Sequence, residues 1–174
     1  SEISGGAQNI FCQDCVMSSP QLEQALRFKN NAVRGALIED IFIRNILISE
    51  LYTGTSATRG MALSIDFNYE EGPNGSRRPV VRNIDIRNVT SNKSNYALYL
   101  RGFPDDHIED VRLYDCHFHD VQRPNVIEHV DRLAFFNVTF NGSDLEVPPT
   151  PEPPISDCGM HIFMNQSIVT RQLP

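Results

Sequence analysis

The sequence predicts an all-β fold, a right-handed, single-stranded parallel β-helix of about five coils. Three observations carry that prediction. A seven-residue strand pattern recurs along the chain, a second, shorter strand recurs between its copies in the same order, and no stretch shows the 3.6-residue apolar period of an amphipathic helix. The strand copies are unevenly spaced, which argues against propeller blades, and parallel crossovers of twisted strands take the right-handed sense.

The first pattern reads Asn or Asp, aliphatic, any, apolar, any, Asn or Asp, then a small or branched apolar residue. It occurs as Asn9-Ile-Phe-Cys-Gln-Asp-Cys15, Asp40-Ile-Phe-Ile-Arg-Asn-Ile46, Asn83-Ile-Asp-Ile-Arg-Asn-Val89 and Asp110-Val-Arg-Leu-Tyr-Asp-Cys116. A looser copy is Arg132-Leu-Ala-Phe-Phe-Asn-Val138, and successive copies start 31, 43, 27 and 22 residues apart. Alternation inside each copy marks a strand with one buried face. Stacked coil on coil at about 4.8 Å, equivalent positions become columns. Ile10, Ile41, Ile84, Val111 and Leu133 are expected to form one inward column, and Cys12, Ile43, Ile86, Leu113 and Phe135 another. Asp14, Asn45, Asn88, Asp115 and Asn137 are expected to stack and hydrogen-bond along a third, at the strand end. The sequons at Asn88 and Asn137 fall in that column and read as structural.

The second strand reads Ala25-Leu-Arg-Phe-Lys29, Ala62-Leu-Ser-Ile-Asp66, Ala97-Leu-Tyr-Leu-Arg101 and Val126-Ile-Glu-His-Val130. Its odd positions point away from the core. They predict a charge column of Lys29, Asp66 and Arg101, and place Arg27 over Ser64, Tyr99 and then Glu128. Residues 1–147 form the coils, and the loop from Glu70 to Arg78 is expected to overhang one face. Residues 148–154 read as a Pro-rich linker, and residues 155–174 as a tail able to add a strand.

Fifteen Lys and Arg against 22 Asp and Glu give a formal net charge of −7, which argues against a general nucleic-acid binder or docking on an anionic membrane. Cys12 and Cys15 make a C-x-x-C without the second ligand pair that zinc needs, so no metal site is expected. His117 and His119, beside Cys116, alternate on a strand and do not supply that pair. Cys15 and Cys116 share a column three coils apart, about 14 Å, beyond the reach of a disulfide. Asp105-Asp106-His107 reads as a solvated turn. Arg27 and Lys29 on one exposed face, with tyrosines nearby, suit a carboxylate-bearing sugar, while a self-neutralising charge ladder is the alternative. Glycoside hydrolysis needs two carboxyls flanking the bond, and Asp66 and Glu128, two coils apart in different columns, do not form such a pair.

The segment Ser1-Glu-Ile-Ser-Gly-Gly6, followed by Asn9-Ile10, Ala25-Leu-Arg-Phe-Lys29 and Arg34-Gly35, resembles glycoside hydrolase family 28, the polygalacturonases, and above all its bacterial exo-acting branch. Phe67-Asn-Tyr-Glu-Glu-Gly72 is similar to that family's x-x-Y-x-x-G turn, and Pro79-Val-Val-Arg-Asn-Ile84 to the strand after it. Where the family has R-G-G, this chain has Arg34-Gly35-Ala36. The resemblance implies inverting hydrolysis of α-1,4-galacturonan without a cofactor, by a secreted or periplasmic protein whose partner is the acidic polysaccharide pectin. It implies that Arg27 and Lys29 bind a galacturonate carboxylate and that Tyr69 holds the neighbouring sugar; Asp66, Tyr99 and Arg101, from the same exposed face of the second strand, are further substrate-binding candidates.

The family's catalytic N-T-D, D-D and G-H-G segments all precede its S-E-x-S-G-G motif; no N-T-D or G-H-G occurs in this sequence, and its one D-D, Asp105-Asp106, falls on the wrong side of R-x-K to be the family's pair. No catalytic residue is therefore assigned, and the chain is expected to be the C-terminal half of such an enzyme, inactive alone. A non-catalytic pectin-binding or assembly module is the second expectation, and a distinct hydrolase using Asp66, Glu70 or Glu128 a third. A solenoid cut on its N-terminal side is expected to have its first coil covered by the missing half, another chain or a second copy.

Overall fold

The computed structural model describes residues 4–144. The expected linker at 148–154 and added strand within 155–174 lie outside the described residues. Among the described residues ten strands follow one another without a helix: β1 (Ala7–Ser18), β2 (Gln24–Lys29), β3 (Leu37–Glu50), β4 (Met61–Asp66), β5 (Val80–Ser91), β6 (Tyr96–Arg101), β7 (Ile108–Phe118), β8 (Val126–Glu128), β9 (Val130–Phe140) and β10 (Ser143–Asp144). They form two ladders, β1-β3-β5-β7-β9-β10 and β2-β4-β6-β8. All pairings are parallel except β9 with β10. The first four coils thus each contribute one long and one short strand, and β9 adds a fifth long strand to the stack.

The inward columns form in the middle coils, with Ile41, Ile84, Val111 and Leu133 in register and buried and Ile43, Ile86 and Leu113 beside them, while at the ends Ile10 is 45% exposed and Cys12 and Phe135 are half-buried. Both Asn/Asp positions of the repeat do more than stack. Asn9 and Asp14, Asp40 and Asn45, Asn83 and Asn88, Asp110 and Asp115, and Arg132 and Asn137 all have φ between 52° and 57°. A single left-handed residue bends a strand, and Asn and Asp enter that region more easily than other side chains. Every long strand is therefore three straight pieces joined at two corners, which wraps it around the core.

The bends also shift the inward phase. Ile38, Ile41, Ile43, Ile46 and Ile48 are all buried, and their three-residue steps straddle Asp40 and Asn45. Side chains run along the corner columns as well: Asn45 donates to Asp14 at 2.8 Å, Asn88 to Asn45 at 2.9 Å, and Asn137 to Asp115 at 2.7 Å. Cys12, Cys15 and Cys116 are free thiols, Cys116 buried in the core.

The register corrects one expectation. Val126 pairs with Tyr99 and Glu128 with Arg101, so β8 sits two residues away from its expected alignment. Pro124 has no N–H for a ladder, and the Asn125 side chain accepts from the Leu98 N–H at 3.0 Å, so regular pairing starts late. A slip of two keeps each side chain on its face but changes its column. Glu128 joins Lys29, Asp66 and Arg101 in one alternating column, and Arg27 stacks over Ser64, Tyr99 and Val126. Asp66 and Glu128 thus share a column with Arg101 between them.

Candidate functional site: a cationic cleft on the outer face of the short-strand ladder

Regular alternation on β2 sends Leu26 into the core and leaves Arg27 exposed, with Lys29 two residues on. The turn that follows is built around two asparagines. Buried Asn30 donates to the Ala36 carbonyl at 2.7 Å and accepts from the Ala36 and Asn31 N–H groups. Asn31 accepts from the Val33 and Arg34 N–H groups through its carbonyl oxygen. Its amide nitrogen donates to the Tyr69 carbonyl at 3.1 Å and to Glu71 at 2.8 Å. One side chain therefore closes the β2 turn and anchors the loop of the next coil.

That loop does not simply overhang. Between Phe67 and Pro79 it folds back onto the β2 turn, with the Arg77 N–H donating to the Ala32 carbonyl and the Ala32 N–H to the Gly72 carbonyl. Two glycines permit the approach. Gly35 has φ +59° and lies where a Cβ would meet the Arg77 side chain at 2.3 Å, and a Cβ on Gly75 would meet the Ala32 carbonyl at 2.1 Å.

The loop brings Tyr69 against the β2 cations. The Arg27 guanidinium carbon and the Lys29 ammonium each lie 4.8 Å from its ring centroid, within cation–π range. Lys29 donates to the Tyr69 hydroxyl at 3.4 Å, and that hydroxyl donates to Glu70 at 2.5 Å. Arg27, Lys29, Tyr69, Asp66 and Tyr99 together line a cleft of about 300 Å³. Arg101 stands behind it, donating to the Tyr99 hydroxyl at 3.3 Å and to Glu128 at 3.0 Å. Burial pushes the Asp66 carboxyl above its ordinary range, against the Asn68 N–H that it accepts at 2.9 Å and the charges of Arg101 and Arg27.

The cleft has a second wall that motif reading missed: Glu23, Gln24, Thr58 and Arg59. Arg59 pairs with Glu23 at 2.8 Å and lies over the Tyr52 ring at 4.5 Å. Its loop is held by buried Asn95, which donates to the Gly54 and Arg59 carbonyls at 3.0 Å each. The signal available in the sequence was length, since this coil is the one whose repeat spacing reaches 43 residues. Asp105-Asp106-His107 stays apart from the cleft: Arg78 bonds Asp106 at 2.5 Å and His107 faces Asp131 at 3.0 Å.

Chemically, the cleft presents cations beside hydroxyl and aromatic groups, the complement of a sugar that carries a carboxylate. No family model matches the chain. A probable polygalacturonase of Vitis vinifera is 23% identical over 159 residues, covering 91% of this chain and 30% of its own length. The crystal structure of a hyperthermoactive exopolygalacturonase from Thermotoga maritima matches with a TM-score of 0.68 and 27% identity, over 80% of this chain and 29% of that one. The chain therefore spans about three-tenths of the length of either protein, less than the half expected from the motifs. In sequence and in fold alike, the proteins that this β-helix resembles are polygalacturonases.

Proposed function

We propose that this chain supplies the carboxylate-binding part of a galacturonan site in a secreted or periplasmic polygalacturonase-like glycoside hydrolase. In this reading the enzyme cleaves α-1,4 bonds with inversion, and its acid and base groups are carried outside these residues. The convergence of Arg27 and Lys29 on the Tyr69 ring, at the mouth of a cleft that also holds Tyr99, is the observation that supports it most. Two cations grip the uronate carboxylate and hold the sugar against the cleft wall, and Tyr69 keeps both cations in place before ligand arrives. Of the two carboxylates lining the cleft, Glu23 is engaged by Arg59. That leaves Asp66 without the second carboxyl that a hydrolytic pair needs.

A further coil of solenoid covers β1 in the same reading, since Ile10 is 45% exposed while Ile41 in the next coil is 3%. Titration calorimetry with oligogalacturonates tests the binding. Lys29→Ala should weaken it by about tenfold or more, the loss of roughly 1.4 kcal/mol of charge-assisted hydrogen bonding. A reducing-sugar assay should show no turnover by this chain alone. Turnover abolished by Asp66→Asn would refute the division of labour and favour a self-contained hydrolase.

A further inference from the structure

The middle piece of each long strand carries two outward columns that the cleft does not use. One runs Gln13, Arg44, Arg87, Tyr114, Phe136, and the other Phe11, Phe42, Asp85, Arg112, Ala134. Read along the solenoid axis they make a strip with aromatic ends and a cationic middle. At one end the Phe11 and Phe42 rings stack at 5.1 Å, and at the other Tyr114 and Phe136 stack at 4.7 Å, tilted by only 7°. Phe11 is 65% and Phe136 51% exposed, so both stacks present a ring face or edge to solvent.

Arg44 stands level with Phe42, Arg87 in the coil between the stacks and Arg112 level with Tyr114, one cation per coil and so about 4.8 Å apart along the axis. A single acid, the largely buried Asp85, sits among them. Arg87 grips Asp85 with bonds of 2.6 and 2.9 Å and lies over the Tyr114 ring at 4.4 Å, and Arg112 approaches Asp85 at 3.8 Å. Of the acids in the adjoining columns, Glu39 is engaged by Arg82 at 2.6 Å and Glu109 and Asp110 by Arg132 at 2.6 Å each, while Asp14, Asp40 and Asp115 accept from the amides of Asn45, Asn83 and Asn137. Within the two columns themselves three guanidinium groups face one carboxylate, a local positive excess on a chain whose net charge is −7.

We propose that this strip is a second binding surface for an anionic polysaccharide, lying along the solenoid axis on a different ladder from the cleft. A polyuronate repeats a carboxylate and an apolar ring face at intervals comparable with one coil. A row of one cation per coil, closed at each end by a ring stack, complements that repeat, whereas a compact anion such as phosphate would use neither stack. The choice of a uronate polymer rests on the galacturonan reading of the cleft, while the site itself rests on its own residues.

Affinity electrophoresis of the purified chain through gels containing polygalacturonate, with neutral galactan as comparator, tests the proposal. In a Lys29→Ala background, retardation by polygalacturonate should persist. Adding Arg44→Gln or Phe136→Ala, both at exposed positions, should then weaken it about tenfold, with far-ultraviolet circular dichroism unchanged. Retardation indifferent to both substitutions would overturn the strip, as would equal retardation by neutral galactan. So would concentration-dependent dimerisation in light scattering that Phe136→Ala abolishes, since the face would then be an interface between copies. Failure of the cleft reading shows separately, as binding that Lys29→Ala leaves untouched in the otherwise unaltered chain.

Discussion

Asn88 sits at the second corner of β5 with φ 52°, and its amide donates to Asn45 at 2.9 Å on the exposed surface. Two substitutions separate what these features contribute. Asn88→Val loses the hydrogen bond, worth about 0.5–1.5 kcal/mol. It also forces a β-branched residue into the left-handed region, costing about 1–2 kcal/mol. Destabilisation of about 2–3 kcal/mol is expected. Asn88→Gly loses the same bond but takes the left-handed conformation without steric cost, at an entropic penalty of about 0.5–1 kcal/mol. Its expected loss is therefore about 1–2.5 kcal/mol, so Val should be the worse by up to about 1 kcal/mol. The side chain faces solvent, so neither change opens a cavity. Urea unfolding followed by circular dichroism measures both. If Gly destabilises as much as Val, the ladder of amides and not the corner geometry holds the coil, and the account of the repeat given above is wrong.

Three further outcomes are expected. Asn31→Ala releases the Tyr69 loop and loosens the β2 turn while keeping the charges of Arg27 and Lys29, so oligogalacturonate affinity should fall several-fold. Calorimetry at low and high salt should show its ionic component unchanged, and a loss as salt-sensitive as that of Lys29→Ala would contradict a positioning role. Asp66→Asn should raise the thermal midpoint at pH 7 and lose that advantage near pH 3. The folded carboxyl titrates above its ordinary 3.8, so folding releases stability as pH rises through the interval between the two values, and the amide removes that penalty while still accepting from Asn68. A lower midpoint for Asp66→Asn at neutral pH would show that its pairing with Arg101 and Arg27 outweighs its burial. His107, whose pKa is raised chiefly by its hydrogen bond to Asp131, should titrate nearer its ordinary value in Asp131→Asn, as nuclear magnetic resonance would show.

The repeat was legible because burial leaves a direct trace in the sequence. Isoleucines at fixed offsets, or their equivalents, recur in every coil, and the inward columns follow from them. The corners were half legible. Asn45 and Asn88 were seen as a hydrogen-bonded column, but Asp40 and Asn83 carry the same left-handed geometry and were passed over as part of a straight strand. Their trace was the three-residue step from Ile38 to Ile41, which an alternating strand cannot make without a bend. Strand β8 was misaligned because its three residues carry little pattern, and a local event, the Asn125 side chain taking the Leu98 N–H, decides where pairing begins. Of the cleft, Arg27, Lys29, Tyr69, Asp66 and Tyr99 were all named from the sequence. Glu23 and Arg59 were not, because an Arg in a loop is indistinguishable in sequence from any solvated charge until the loop's path is known.

The uneven coil spacing, which argues against a propeller, also marks where the cleft forms. A ladder of identical coils offers a ligand one flat face with no end and no edge. The 43-residue coil departs from its neighbours by carrying two loops, one on each side of β4. The loop before β4 delivers Arg59 and Thr58, and the loop after it delivers Tyr69. Each is tied down by a buried asparagine from an adjoining coil, Asn95 on one side and Asn31 on the other. The regular strands therefore set the spacing of Arg27, Ser64 and Tyr99, and the excess length walls them in. Shortening either loop to the length found in the next coil should leave the solenoid folded and abolish oligogalacturonate binding. The inward columns that stabilise the coils do not pass through the loops, whereas the walls of the cleft do.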